Sequence, residues 1–180
     1  MRAWHNLRSR SPLWQKLTIV MAISTEPYLL IKDAFQSPFN VGQTLYLQDF
    51  NPGEVAELNR RHGAPFTSQE SDRLWEWTGG HPFLTRLAFY FSVEEKLGLD
   101  QLISKSLERS TPFGEHLTHL SFHLKRDSTL RSAMGSILDG NSIDDESAIL
   151  RLLKAGLIKA EGDQYLCRCA LYAAHLQTIL

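Results

Sequence analysis

From Asn51 onward, apolar positions recur at helical spacing, and each run is bracketed by residues that start or stop helices. Asn51 can cap, Pro52 suits the first helical position, and Glu54 stands where a capping box needs it. Val55 and Leu58 then face inward until Gly63 ends the run. Thr67 and Glu70 form a second capping box before Leu74, Trp75 and Trp77, and Gly79-Gly80 stops that helix. Pro82 opens a third helix through Phe83, Leu87 and Tyr90. An apolar stretch over residues 97–107 completes a small helical bundle.

The remaining residues follow a different plan. Thr111-Pro112 opens one helix, and a second is expected over residues 128–138. After a Gly140-Asn141 turn, Ser142 with Asp145 is expected to cap a helix over 146–155, whose Ile149, Leu152 and Leu153 share a face before Gly156. Residues 157–160, a Glu161-Gly162-Asp163 turn and residues 164–169 read as a hairpin. Three helices followed by a hairpin is the pattern of a winged helix.

The N-terminal part reads differently again. Residues 2–10 suit a short helix ended by Ser11-Pro12. Residues 17–23 are apolar and rich in β-branched side chains without alternation, as in a strand buried on both faces of a parallel sheet. A loop lies between Asp33 and Gly42, and a second short strand is expected over 44–47. A parallel sheet needs several strands joined by helices. The segment therefore reads as the tail of a larger α/β domain whose N-terminal part is absent. Arg2, Arg8, Arg10 and Lys16 precede the first acid, Glu26, but the basic stretch is too long for a secretory signal. Trp4, Leu7 and Trp14 instead suit an amphipathic helix that docks on something.

Composition narrows the function. Nineteen basic against twenty acidic residues in a 180-residue chain give a net charge of -1, which excludes a strongly basic nucleic-acid binder. With 43% hydrophobic and 22% charged residues the chain should fold, and no apolar run is long enough to span a bilayer. Cys167 and Cys169 cannot make a disulfide framework, so a soluble, reducing, cytoplasmic setting is expected. Both thiols should share one face of a strand and read as buried free cysteines. His116, His119 and His123 share a helix face but lack an H-E-x-x-H acid, so a packed or solvated face is expected and no metal site. No G-x-S-x-G is present, and no hydrolase triad can be assembled.

Four segments in order carry a family resemblance. They are Ile23-Ser24-Thr25-Glu26, Gln36-Ser37-Pro38-Phe39-Asn40-Val41-Gly42, the run from Phe50 through Leu58 with Arg61-His62-Gly63, and Thr78-Gly79-Gly80-His81-Pro82. Together they resemble the AAA-like branch of the STAND P-loop ATPases. The resemblance implies an α+β, mainly helical chain in three parts. Residues 1–48 would be the C-terminal remnant of a P-loop α/β core, 49–110 a helical lid and 111–180 a winged-helix domain. Residues 17–23 would correspond to the sensor strand, with Ser24 and Thr25 at its nucleotide-facing end. Gly80, His81 and Pro82 would correspond to the Gly-x-Pro motif that packs near the bound adenine nucleotide.

The departures from the family pattern bound the activity. No G-x-x-x-x-G-K-[ST] occurs among the eleven glycines, and no apolar strand ends in the acidic pair that would hold Mg²⁺. The chain alone should therefore hydrolyse no ATP and take no cofactor, ATP or ADP with Mg²⁺ belonging to the complete family protein. In the family sheet, the phosphate-loop strand separates the strands matching 17–23 and 44–47. The gap would be closed by collapse, by a second copy in a homo-oligomer, or by a protein partner such as the missing ATPase core. The expected role is a nucleotide-linked regulatory or protein-interaction module in signalling, with no membrane. The alternative is a winged-helix DNA-binding regulator. Asp144 and Asp145 stand where such a recognition helix begins, with Arg151 and Lys154 opposing them, and the wing sets Lys159 and Arg168 against Glu161 and Asp163. That charge pattern fits protein better than nucleic acid.

Overall fold

A computed structural model describes residues 2–20, 22, 43, 45, 47–122 and 124–180. The chain divides into two compact units, residues 1–47 and 48–180. In the first, α1 (Arg2–Leu7) and α2 (Pro12–Gln15) flank the Ser11-Pro12 break. The Trp4 and Trp14 indoles stack at 6.0 Å. Gln15 Nε2 donates to the Arg8 carbonyl at 3.0 Å.

The expected strand is not formed over residues 17–20, which take no regular structure and leave Val20 89% exposed. A strand satisfies its backbone through a neighbour. Here the Arg8 guanidinium takes the Leu17 carbonyl at 2.7 Å instead, and the only sheet among the described residues is a hairpin of the second unit. Leu45 and Leu47 likewise belong to no strand and are exposed. Residues 23–42, with Ser24, Thr25 and the family segment 36–42, lie outside the described residues.

The second unit is mainly helical. Asn51 Oδ1 accepts from the Glu54 amide at 3.0 Å while Glu54 Oε2 accepts from the Asn51 amide at 2.9 Å, and this box starts α3 (Pro52–Arg61). Such a cap contributes about 1 kcal/mol. Thr67 and Glu70 do the same for α4 (Ser68–Thr78), which stops at the left-handed Gly79. Pro82 occupies the first turn of α5 (Pro82–Glu94). Helices α6 (Leu99–Lys105), α7 (Pro112–Phe122) and α8 (Ser128–Leu138) follow. A continuous core runs from Val55 through Leu84, Phe89, Leu117 and Met134 to Leu176, so apolar burial spans all of these helices.

Helix α9 (Glu146–Lys154) is capped by Asp145, whose Oδ1 accepts from the Ala148 amide at 3.0 Å. Of the Ser142 and Asp145 pair the sequence suggests, only Asp145 caps, because Ser142 stands too far ahead of the first helical residue for its hydroxyl to reach those amides. Asp127 caps α8 through the Leu130 amide and also binds Arg151 at 2.7 Å, tying α8 to α9. Strands β1 (Ile158–Glu161) and β2 (Gln164–Cys167) pair antiparallel, Ile158 opposite Cys167 and Glu161 opposite Gln164. The chain then turns at Arg168, whose amide donates to the Leu157 carbonyl at 2.9 Å. Cys169 therefore precedes α10 (Ala170–Gln177) as its cap residue instead of sharing the strand with Cys167. Both thiols are free, Cys167 half-buried and Cys169 buried.

The two faces of α9 make a direct test of this packing. Leu152 is fully buried and Leu150 is 51% exposed. Leu152→Ala is expected to cost ~2–5 kcal/mol in urea denaturation and Leu150→Ala within ~0.5 kcal/mol. Equal losses would contradict the packing described.

Candidate functional site

The Thr78–Pro82 turn is the best-built feature of the second unit. Thr78 Oγ1 donates to the Leu74 carbonyl at 2.8 Å and lies 3.0 Å from Thr85 Oγ1, joining the end of α4 to the start of α5. Gly79 and Gly80 follow with φ of 62° and 71°, a conformation that side chains resist. The Phe50 amide donates to the Gly80 carbonyl at 2.8 Å, and Trp75 Nε1 donates to the Phe50 carbonyl at 2.8 Å. A Cβ at Gly80 would collide with the Phe50 carbonyl oxygen, and one at Gly79 would fall 2.8 Å from that of Arg168. Two glycines therefore let one turn touch both the segment before α3 and the segment after the hairpin.

An ion pair closes the same circuit. Arg168 Nη2 meets Asp49 Oδ1 at 2.6 Å and its Nε meets Oδ2 at 3.2 Å, a two-pronged geometry between residues 119 positions apart. The side chains are 26% and 31% exposed, so the pair is only partly screened by water. Burial by itself would lower the Arg168 pKa, and the Asp49 carboxylate more than offsets that. Arg168 is a fixed positive charge.

His81 stands beside it. Its ring lies 5.8 Å from that of His116 and 6.0 Å from that of Tyr172, while His116 Nε2 and Tyr172 Oη are 2.7 Å apart. Burial and then the Arg168 charge press the His81 pKa down to about 4. His116 is lowered too, by burial and by the His119 and Arg168 charges. Both imidazoles are neutral near pH 7. His81 Nδ1 is buried with no hydrogen-bond partner among the described residues. The arrangement thus presents one unsatisfied imidazole nitrogen and one guanidinium already held by a carboxylate.

These groups do not by themselves fit an Mg-nucleotide. No backbone cradle for phosphates accompanies them in the sequence. Among the described residues, no group of three or more His, Cys, Asp or Glu could hold a metal ion. Of the residues singled out from sequence, Gly80, His81 and Pro82 come together here, whereas Ser24 and Thr25 lie outside the described residues. His116 packs on Tyr172, His119 is exposed, and His123 lies outside the described residues. Asp49, Trp75, Arg168 and Tyr172 escaped the sequence reading as members of this cluster. The sequence marks only Arg168, as the single charge inside an otherwise uncharged run, Tyr165 to Leu171, and gives no sign of its partner.

Two outcomes follow from this geometry. Gly80→Ala should lower stability by roughly 2–4 kcal/mol through strain and the Phe50 contact, read as a fall in Tm. Because the folded-state pKa of His81 lies below its unfolded value, its contribution is present in full above pH ~6.5 and is lost as pH falls toward about 4. In urea titrations at pH 7.5 and 4.5, His81→Gln should lose less stability on acidification than the parent chain. An unchanged pH slope in that variant would remove His81 from the account.

Comparison with known proteins adds one positive result. No curated protein and no solved structure matches this chain. The family model described as the AAA-like domain matches residues 1–178, a span that includes the glycine turn, the Asp49–Arg168 pair and both histidines. The chain belongs to the AAA-like domain family.

Proposed function

We propose that this chain is a nucleotide-linked regulatory and protein-interaction module of the STAND type, in which residues 48–180 act as lid and winged helix. The observation that carries this reading is the glycine turn with the buried, unpartnered His81 nitrogen that follows it. A buried polar atom without a partner is costly, and a ligand that supplies one offsets that cost. In this reading His81 offers a single hydrogen bond to a nucleotide whose phosphates and Mg²⁺ are held by a phosphate-binding loop on another segment or chain. Bound nucleotide would set the position of the turn, and the ion pair would carry that position to the hairpin.

The charges favour a protein partner over duplex DNA. Arg151 is already paired with Asp127, and Leu150 is exposed on the same helix where a base-reading polar group would serve. No hydrolysis is expected from this chain alone, since its sequence carries no G-x-x-x-x-G-K-[ST] motif to position a γ-phosphate.

Calorimetry and phosphate release test the proposal together. With Mg²⁺, ATP or ADP should give no binding tighter than about 1 mM to the isolated chain, and no phosphate should appear. Co-purified with a phosphate-loop AAA-like chain from the same genome, it should gain ADP binding that His81→Ala weakens about tenfold. Micromolar binding by the isolated chain would overturn the division of labour. Binding by the complex that ignores His81→Ala would overturn the role of the turn.

A further inference from the structure

Helix α5 buries one face and leaves another uncovered. Leu84, Thr85, Ala88, Phe89 and Ser92 are buried. On the opposite side Phe83, Tyr90 and Val93 are 49%, 54% and 43% exposed, and Leu87 is half-buried. These positions recur at three- and four-residue spacing, so they share one face of the helix, an apolar stripe where Phe83 also packs on His116 and Leu87 on the edge of the core. A helix with apolar residues on both sides, one of them facing water, is the pattern of a docking element. Two charges edge the stripe, Arg86 and Glu94, and neither has an ion-pair partner among the described residues.

The order of these groups points to the occupant. When two copies of a helix pair antiparallel about a two-fold axis at Tyr90, each position before Tyr90 meets the position equally far after it. Arg86 then faces Glu94, Leu87 faces Val93, and Tyr90 faces its own counterpart. Each of these two charges meets the opposite sign, twice by symmetry, and Leu87 and Val93 meet each other, while Phe83 lies beyond the paired stretch. A parallel pair would set Arg86 against Arg86 and Glu94 against Glu94, so only the antiparallel arrangement is complementary. We propose that this face of α5 pairs with the same face of a second copy of the chain, making an antiparallel two-fold dimer. The inference does not rest on nucleotide binding, although Phe83 at the start of the stripe also packs on His116 at 5.0 Å.

The size of the stripe sets the expected strength. Thirteen residues make a helix about 20 Å long, which covers less than the ~800 Å² per partner of a standard interface. The dimer is therefore weak and reversible, forming at tens to hundreds of micromolar.

Sedimentation velocity on the whole chain, from about 5 to about 500 µM, reads this directly. The expected result is a monomer–dimer equilibrium that Arg86→Glu or Glu94→Arg weakens at least tenfold and that the double reversal restores. Both side chains are exposed, so the variants should keep the parent's circular dichroism and melting temperature. A chain that stays monomeric throughout overturns the proposal and leaves the stripe to an unlike helix. A dimer indifferent to either reversal also overturns it, because association would then run through other residues. So does a double variant as weak as the single ones.

Discussion

The hydrogen bond from the Phe50 amide to the Gly80 carbonyl is the contact on which the second unit turns. It forms only because Gly80 has no Cβ, and it places Asp49 one residue away from the bond. Asp49 then reaches Arg168, and the beginning and the end of the unit are joined across the glycine turn. Helix stop, helix start and hairpin exit meet within a few ångströms. Removing one member of a half-buried ion pair leaves its partner desolvated and unpaired, so the circuit tolerates loss poorly.

The same closure determines the chemistry. Tyr172 and His116 wall His81 from water, and the guanidinium held by Asp49 adds positive potential. A neutral imidazole is the result, with hydrogen-bonding capacity but little basicity near pH 7. Cys169, buried at the same turn, has its pKa raised to about 12 by burial, so the thiolate is scarce there. Neutral imidazole, protonated thiol and a guanidinium held by a carboxylate are groups suited to binding and positioning. Near pH 7 these particular groups are weak bases and poor nucleophiles.

Helix α5 connects this site to the surface. Its first residue, Pro82, closes the turn, its inner face packs on the continuous core, and its outer face is apolar and uncovered. The helix is seated in a close-packed interior at that end. Thr78 and Thr85 reinforce that seat with the hydroxyl contact between α4 and α5.

What the sequence determined by itself was local. The capping boxes at Asn51 and Thr67, the stop at Gly79, the start at Pro82 and the bounds of α8 depend on contacts between residues three or four positions apart. Such contacts exist wherever the right residues are spaced correctly, so reading them needs no knowledge of the fold. The tertiary structure alone decided the rest. Residues 17–20 have strand-forming side chains, yet a strand requires a neighbour, and the Leu17 carbonyl was taken by Arg8. Asp49 and Arg168, like His81 and Tyr172, meet only after the helices between them have packed. Nothing in a linear pattern announces a pairing over that distance, because its free energy comes from burial shared by the whole core.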